Sequence, residues 1–275
     1  MNRIVRVSPD AAATARDVAT FVLRTLADAI EMRGSASFVV AGGSTPMAVY
    51  RLLAENESFR WHDLDVFFGD DRYVPVNSRD RNERAVREAW LDHVSIPADR
   101  IHAMPAAPEG ADDDEAAGAR PSLDEEAARY EATVRRVLER RTERRDPSAP
   151  PTTFDLVLLG VGPDGHTASL FPGDPALDVQ GRLVAGVPRS PTPPEVPRLT
   201  LTLEAIRASR AVAMLATGRS KCSVVAEILG AGDPTDDTAT ASSTALPAGR
   251  TRSQTGSVLW FLDAAAAGDG PLASG

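Results

Sequence analysis

Asp164 and His166 stand two residues apart in Gly160-Val161-Gly162-Pro163-Asp164-Gly165-His166-Thr167-Ala168-Ser169. An acid and an imidazole carried on one glycine-rich loop are equipped to move protons near neutral pH. A second polar stretch, Gly42-Gly43-Ser44-Thr45-Pro46, suits an anion. Its glycines let the backbone approach closely, its hydroxyls donate hydrogen bonds, and the helix that follows presents a partly positive N-terminus. It lacks the lysine of a Walker loop and the third glycine of a dinucleotide fingerprint, so it points to a phosphate monoester more than to a nucleotide. A third stretch, Gly69-Asp70-Asp71-Arg72, brings two carboxylates and a guanidinium together. Asp70 is the functional candidate because it lies nearest the strand end, and Asp71 reads as a solvated acid. Arg72 can pair with an acid or bind an anion. Two further cations, Arg198 and Lys221, also fall beside predicted strands.

Each group must be held by the element before it. The residues preceding Gly160 form an apolar run without alternation, as expected of a strand buried on both faces of a parallel sheet. Phe38-Val39-Val40-Ala41 leads into the double-glycine loop, and Leu64-Asp65-Val66-Phe67-Phe68 leads into Asp70. Ala211 to Ala216 leads into Thr217-Gly218-Arg219-Ser220-Lys221. Ligands of open α/β sheets bind beyond the carboxyl ends of strands, where all these groups fall. Val18, Phe21, Val22, Leu26 and Ile30 recur at helical spacing and predict a helix from about Ser8-Pro9-Asp10 to Arg33-Gly34. After the double glycine, Ser44 or Thr45 suits a helix cap and Pro46 the first helical position. Thr167 to Leu170 reads as a short helix. Arg198 opens the alternating run Leu199 to Leu203, a strand with one polar face. Residues 105–122 and 231–256 read as flexible loops. The β–α alternation, with no repeat and no clear linker, predicts one domain over residues 1–275. Its class is α/β: a doubly wound, mostly parallel, Rossmann-like sheet with helices on both faces.

Composition narrows the function. A net charge of -9 argues against nucleic acid and anionic membranes as partners. The single cysteine, Cys222, allows no intrachain disulfide and no cysteine-based zinc site. The N-terminal apolar residues are interrupted by Asp17, Arg24 and Asp28, unlike a signal peptide, and a cytoplasmic location is expected. The acid run Asp112-Asp113-Asp114-Glu115 lacks the spacing that folds ligands around an ion and reads as a solvated loop. No metal and no cofactor is expected. His62, His93 and His102 have no comparable context and read as structural or surface residues.

Taken in order, the double-glycine loop, Gly69 to Arg72, Gly160 to Gly173, Arg198 to Thr202 and Thr217 to Lys221 resemble the signatures of the 6-phosphogluconolactonase family, which shares a superfamily with glucosamine-6-phosphate deaminase. The Gly-His-Thr-Ala-Ser-Leu-Phe-Pro-Gly segment is the specific one. The deaminase motif carries a glutamate five residues after the histidine, where this chain has Phe171, which favours the lactonase. The family usually reads Asp-Glu-Arg where this chain has Asp70-Asp71-Arg72. The resemblance implies hydrolysis of 6-phospho-D-glucono-1,5-lactone to 6-phosphogluconate in the oxidative pentose phosphate pathway, without covalent nucleophile, metal or cofactor. His166 would act as general base on water. Asp164 or Asp70 would orient the imidazole or bind sugar hydroxyls, and loop N–H groups or Arg72 would meet the oxyanion. The phosphate would lie on Gly42, Gly43, Ser44 and Thr45, with Lys221 and Arg198 as counter-charges. The rivals are a deaminase-like isomerase on the same scaffold and a non-catalytic sugar-phosphate sensor. A monomer or small homo-oligomer is expected.

Overall fold

The computed structural model describes residues 3–109, 121–145, 153–230, 246–253 and 258–268. The first strand, β1 (Arg3–Ser8), is followed by α1 (Ala11–Arg33), which Asp10 caps by accepting the Ala13 N–H at 2.7 Å. Its buried stripe of Val18, Val22, Leu26 and Ile30 has the spacing seen in the sequence. Then come β2 (Ala36–Val40), α2 (Ser44–Ala54), β3 (Leu64–Phe68), β4 (Asp70–Arg72), α3 (Asn82–Ala89), β5 (Ile101–His102) and α4 (Leu123–Arg145). The second half runs β6 (Leu156–Gly160), β7 (Val184–Val187), β8 (Arg198–Leu201), α5 (Leu203–Arg207), β9 (Ala211–Ala216), α6 (Cys222–Gly230), β10 (Val258–Asp263) and α7 (Ala264–Ala267).

Seven strands form a parallel sheet in the order β1-β10-β9-β6-β2-β3-β5. From β2 the chain builds outward through β3 to β5, and from β6 it builds the other way through β9 to β10. The reversal lies between β2 and β6, which pair directly at Phe38 with Leu156 and Val39 with Val157. Loops leaving two such strands diverge to opposite faces of the sheet and open a crevice at their carboxyl ends. Those loops are the double-glycine segment and the segment carrying His166. The four central strands β9, β6, β2 and β3 therefore deliver all the loops singled out in the sequence except the one before Arg198.

The mostly parallel, doubly wound expectation holds for this sheet, but a second sheet was not anticipated. Strands β4, β8 and β7 pair antiparallel, Asp70 opposite Thr200 and Arg72 opposite Arg198. Asp70 to Arg72 is thus a strand, not a loop. Every residue of β8 is buried, so its alternating polar positions face a second layer rather than solvent. Of the expected loops, 110–120, 231–245 and 254–256 lie outside the described residues. Residues 247–250 form a short 3-10 turn in which Pro247, Ala248 and Gly249 are buried. Among the described residues no helix is long and apolar enough to cross a membrane.

Candidate active site

A cavity of about 240 Å³ opens at the carboxyl ends of the central strands. Its walls include Gly42, Gly43, Ser44 and Thr45 on one side and Asp70, Arg72 and Arg198 on another, with His166 and Lys221 completing it. Of the residues expected at the site, only Asp164 does not line the cavity. It sits behind the imidazole, its Oδ1 2.5 Å from His166 Nδ1. A carboxylate accepts only, so Nδ1 is the donor to Asp164, and in the neutral imidazole Nε2 then carries the lone pair. Of the two acids considered, Asp164 is the one in contact with the imidazole, while Asp70 bonds Ser169.

The loop that carries this pair is folded tightly. Gly162 donates its N–H to the His166 carbonyl at 2.8 Å, and Gly165 donates to the Gly162 carbonyl at 3.0 Å. A side chain on Gly162 would place its Cβ 2.0 Å from His166 Nδ1 and 2.5 Å from Asp164 Oδ1. The absent side chain is the space the acid–imidazole pair occupies. Thr167 donates its hydroxyl to the Gly160 carbonyl at 2.9 Å, anchoring the far side of the loop to β6. The expected helix over Thr167 to Leu170 is instead a turn: Leu170 N–H reaches the Thr167 carbonyl at 2.9 Å, and Ala168 adopts φ 49°. A positive φ is unfavourable for a residue with a Cβ and incompatible with a continuing right-handed helix. Gly162→Ala is expected to lower kcat about tenfold to hundredfold, as misplacement of a catalytic group by an ångström does. KM should change far less, which steady-state kinetics on the purified variant will separate.

The double-glycine loop is set by a residue the sequence did not flag. Tyr50 is fully buried, and its hydroxyl both accepts from the Ala41 N–H and donates to the Ala41 carbonyl, each at 2.9 Å. Burial pushes this phenol well above its ordinary pKa, so it stays a neutral donor and acceptor. The end of β2 is thereby pinned just before Gly42. Gly43, not Ser44 or Thr45, occupies the cap position, and Pro46 is the third helical residue rather than the first. Neither change strains α2, because the first four helical N–H groups have no partner within the helix in any case. The consequence is chemical: the Ser44 hydroxyl is exposed at the cavity rather than used for capping. Thr45 Oγ1 lies 3.4 Å from Thr217 Oγ1, which ties this loop to the one after β9. Lys221 closes that loop in a 3-10 turn ahead of α6. Burial lowers the Lys221 pKa from its ordinary value, partly opposed by the nearby Asp164 carboxylate.

The acidic strand corrects a second reading. Asp71 is not solvated but 1% exposed. It pairs with the equally buried Arg81 at 3.1 Å and accepts the N–H groups of Arg72 at 2.8 Å and Asn82 at 2.6 Å. Burial outweighs Arg81 and pushes its carboxyl up to about 6. Asp71 is the internal fastening of this corner. Tyr130 does for β3 what Tyr50 does for β2: its hydroxyl accepts from the Phe68 N–H at 2.9 Å, just before Gly69 and Asp70. Arg72 donates to the Asp80 carbonyl at 2.5 Å, leaving its guanidinium at the cavity wall. Arg198 is 4% exposed, donates to the Thr192 and Pro194 carbonyls, and lies 5.7 Å from the centre of the Phe171 ring. Among the described residues no carboxylate pairs with it. The same Phe171 ring packs 4.8 Å from the His166 ring.

Asn82 is the wall residue that the sequence reading missed. It donates to the Asp70 carbonyl at 2.9 Å, and its Oδ1 would lie 2.0 Å from a Cβ on Gly42. Nothing local marks it: an asparagine at a helix start reads as an ordinary cap. Of the other histidines, His102 is buried with its Nε2 3.0 Å from Asp65, while His62 and His93 are exposed. None of them approaches the cavity.

The model of a family described as glucosamine-6-phosphate isomerases/6-phosphogluconolactonase matches residues 9–260. A 6-phosphogluconolactonase of Streptomyces coelicolor is 38% identical over 263 residues, covering 94% of this chain and 90% of the relative. One of Mycobacterium tuberculosis is 35% identical over 235 residues, covering 85% and 89%. The solved structure of a 6-phosphogluconolactonase from Trypanosoma cruzi superposes with a TM-score of 0.75 at 30% identity, covering 97% of this chain and 96% of that one.

Proposed function

Since the chain belongs to the glucosamine-6-phosphate isomerase/6-phosphogluconolactonase family, we propose that this cavity hydrolyses 6-phospho-D-glucono-1,5-lactone to 6-phosphogluconate, with His166 as general base. One observation supports this assignment above the others. His166 after β6 and the hydroxyl-bearing helix start after β2 line one cavity across the switch point, with Lys221, from the loop after β9, also in its wall. His166 Nε2 takes a proton from water as the oxygen attacks the lactone carbonyl, and Asp164 steadies the imidazolium that forms. Charge developing on the carbonyl oxygen is met by Arg72 or by N–H groups of the glycine-rich loop. Collapse of the tetrahedral species expels the ring oxygen, which regains a proton as the ring opens. The ester is reactive enough for water to be the nucleophile. The phosphate lies against Gly42 to Thr45, with Lys221 and Arg198 balancing its charge. The rival deamination is disfavoured because a buried phenyl ring, Phe171, stands beside His166 where that chemistry has a carboxylate. On this reading the enzyme works in the cytoplasm as a monomer or small homo-oligomer and engages neither nucleic acid nor membrane.

A coupled assay with freshly generated lactone tests the reaction directly, and ammonia release from glucosamine 6-phosphate would decide for the rival. The phosphate site is tested separately. Lys221→Ala is expected to lower kcat/KM for the phosphorylated lactone about 10–100-fold, the usual size of a lost charge-assisted hydrogen bond. Turnover of unphosphorylated gluconolactone should be nearly unchanged. Equal losses on both substrates would mean that Lys221 does not meet the phosphate.

A further inference from the structure

Asp70 has no catalytic partner in the arrangement described, yet its carboxylate is built into the cavity wall with care. It is 6% exposed. Its Oδ2 accepts the Ser169 hydroxyl at 2.6 Å, and its Oδ1 receives only a long contact from Asn82 Nδ2 at 3.4 Å. Both helpers are themselves buried and fixed. Ser169 donates its N–H to Thr200 Oγ1 at 3.2 Å, directly across the β4–β8 ladder from Asp70. Asn82 is held by its second bond, to the Asp70 carbonyl. Among the described residues no cation lies within ion-pair distance of Asp70. An ionised carboxylate has about four acceptor positions, and the protein fills two. A buried acceptor left short of donors is costly unless something entering the cavity supplies them. Sugar hydroxyls are such donors.

We infer that Asp70, aimed by Ser169 and Asn82, is the residue that reads a ring hydroxyl of the substrate, specifically the hydroxyl on the carbon next to the lactone carbonyl. This rests on the lactonase reading above. The choice of hydroxyl follows from connectivity. Ser169 lies three residues beyond His166 on the same closed turn, so the oxygen it holds belongs to the reacting end of the cavity. The phosphate end, at Ser44 and Lys221, belongs to other loops. Asp70 is then a specificity residue, and Ser169 and Asn82 are positioning residues.

The test uses the parent lactone and its 2-deoxy analogue, each generated in the cuvette by enzymatic oxidation of the sugar phosphate. Wild type is expected to favour the parent about 10–100-fold in kcat/KM, the size of one hydrogen bond to a charged acceptor. Asp70→Asn should lose a similar factor on the parent and discriminate little between the two substrates. Ser169→Ala, which leaves the carboxylate in place but unaimed, should reduce the discrimination by about half that factor on a logarithmic scale. His166→Ala should slow both substrates alike and keep their ratio, which separates hydroxyl reading from general loss of activity. Asp70→Asn with the wild-type ratio intact overturns the inference. So does a wild type that cannot tell the two lactones apart. A wild type that hydrolyses neither lactone above the spontaneous rate sinks the lactonase reading itself.

Discussion

His166→Ala is expected to reduce kcat about 10²–10⁴-fold, after correction for spontaneous ring opening, with little change in KM. The expectation follows from the proposed role and from where His166 sits. Asp164 holds Nδ1, the loop closes around Gly162, and Phe171 packs against the ring, so the imidazole is left with Nε2 to present to the cavity. The double-glycine loop follows a different strand and keeps its contacts when the imidazole is removed. Binding should therefore survive while chemistry fails, the pattern of a group that acts only in the transition state. Single-turnover measurement with fresh lactone gives the number. A loss smaller than about tenfold would count against general-base catalysis.

Asp155→Ala is expected to destabilise the fold by about 3–5 kcal/mol while leaving kcat of the folded enzyme nearly unchanged. Asp155 precedes β6 at the amino edge of the sheet, the edge away from the cavity. It is 3% exposed and bonds Ser37 through both N–H, at 2.8 Å, and hydroxyl, at 3.0 Å. Arg33 reaches it from the end of α1 at 2.8 Å, and Arg141 from α4 at 2.7 Å. One carboxylate thus joins β2, β6 and two helices, and its removal takes a shared counter-charge from Arg33, Arg141 and, at 3.7 Å, Arg210. Burial alone would raise its pKa, but Arg141, Arg33 and the Ser37 bonds outweigh burial and hold it below the ordinary carboxylate value. The sign of the pH dependence follows. The contribution is complete above the unfolded-chain value near 4 and is lost as pH falls through the lower folded value. Thermal melts should show Asp155→Ala roughly 10 °C below wild type at pH 7. The gap should narrow on acidification below about pH 4. A constant gap across that range would mean that packing, not charge, accounts for the loss.

Much of the site could be read from residue order because strand ends and glycine loops have local signatures. An unalternating apolar run followed by glycine, hydroxyl or acid marks a buried parallel strand running into a functional loop, and four such junctions were legible. What failed had non-local causes. Asp71 looked like any exposed acid because its partner, Arg81, approaches only when α3 folds back on β4. The Thr167 to Leu170 segment was given helical geometry because its residues permit it, whereas closure onto Gly160 and the positive φ of Ala168 demand a turn. Nothing local marks Tyr50 or Tyr130, and only the folded chain shows their hydroxyls pinning the ends of β2 and β3.

By itself, the sequence determined the kinds of groups present and the loops that carry them: an acid and an imidazole two residues apart, a helix start fit for phosphate, and cations beside strands. Those follow from local backbone preference and side-chain chemistry. Only the tertiary structure decided that β2 and β6 are neighbours, so that loops more than a hundred residues apart share one cavity. It alone decided that Asp164 rather than Asp70 holds the imidazole. Strand order and the aim of a buried carboxylate are settled by which long-range contacts fill the core, and no short stretch of chain encodes that choice.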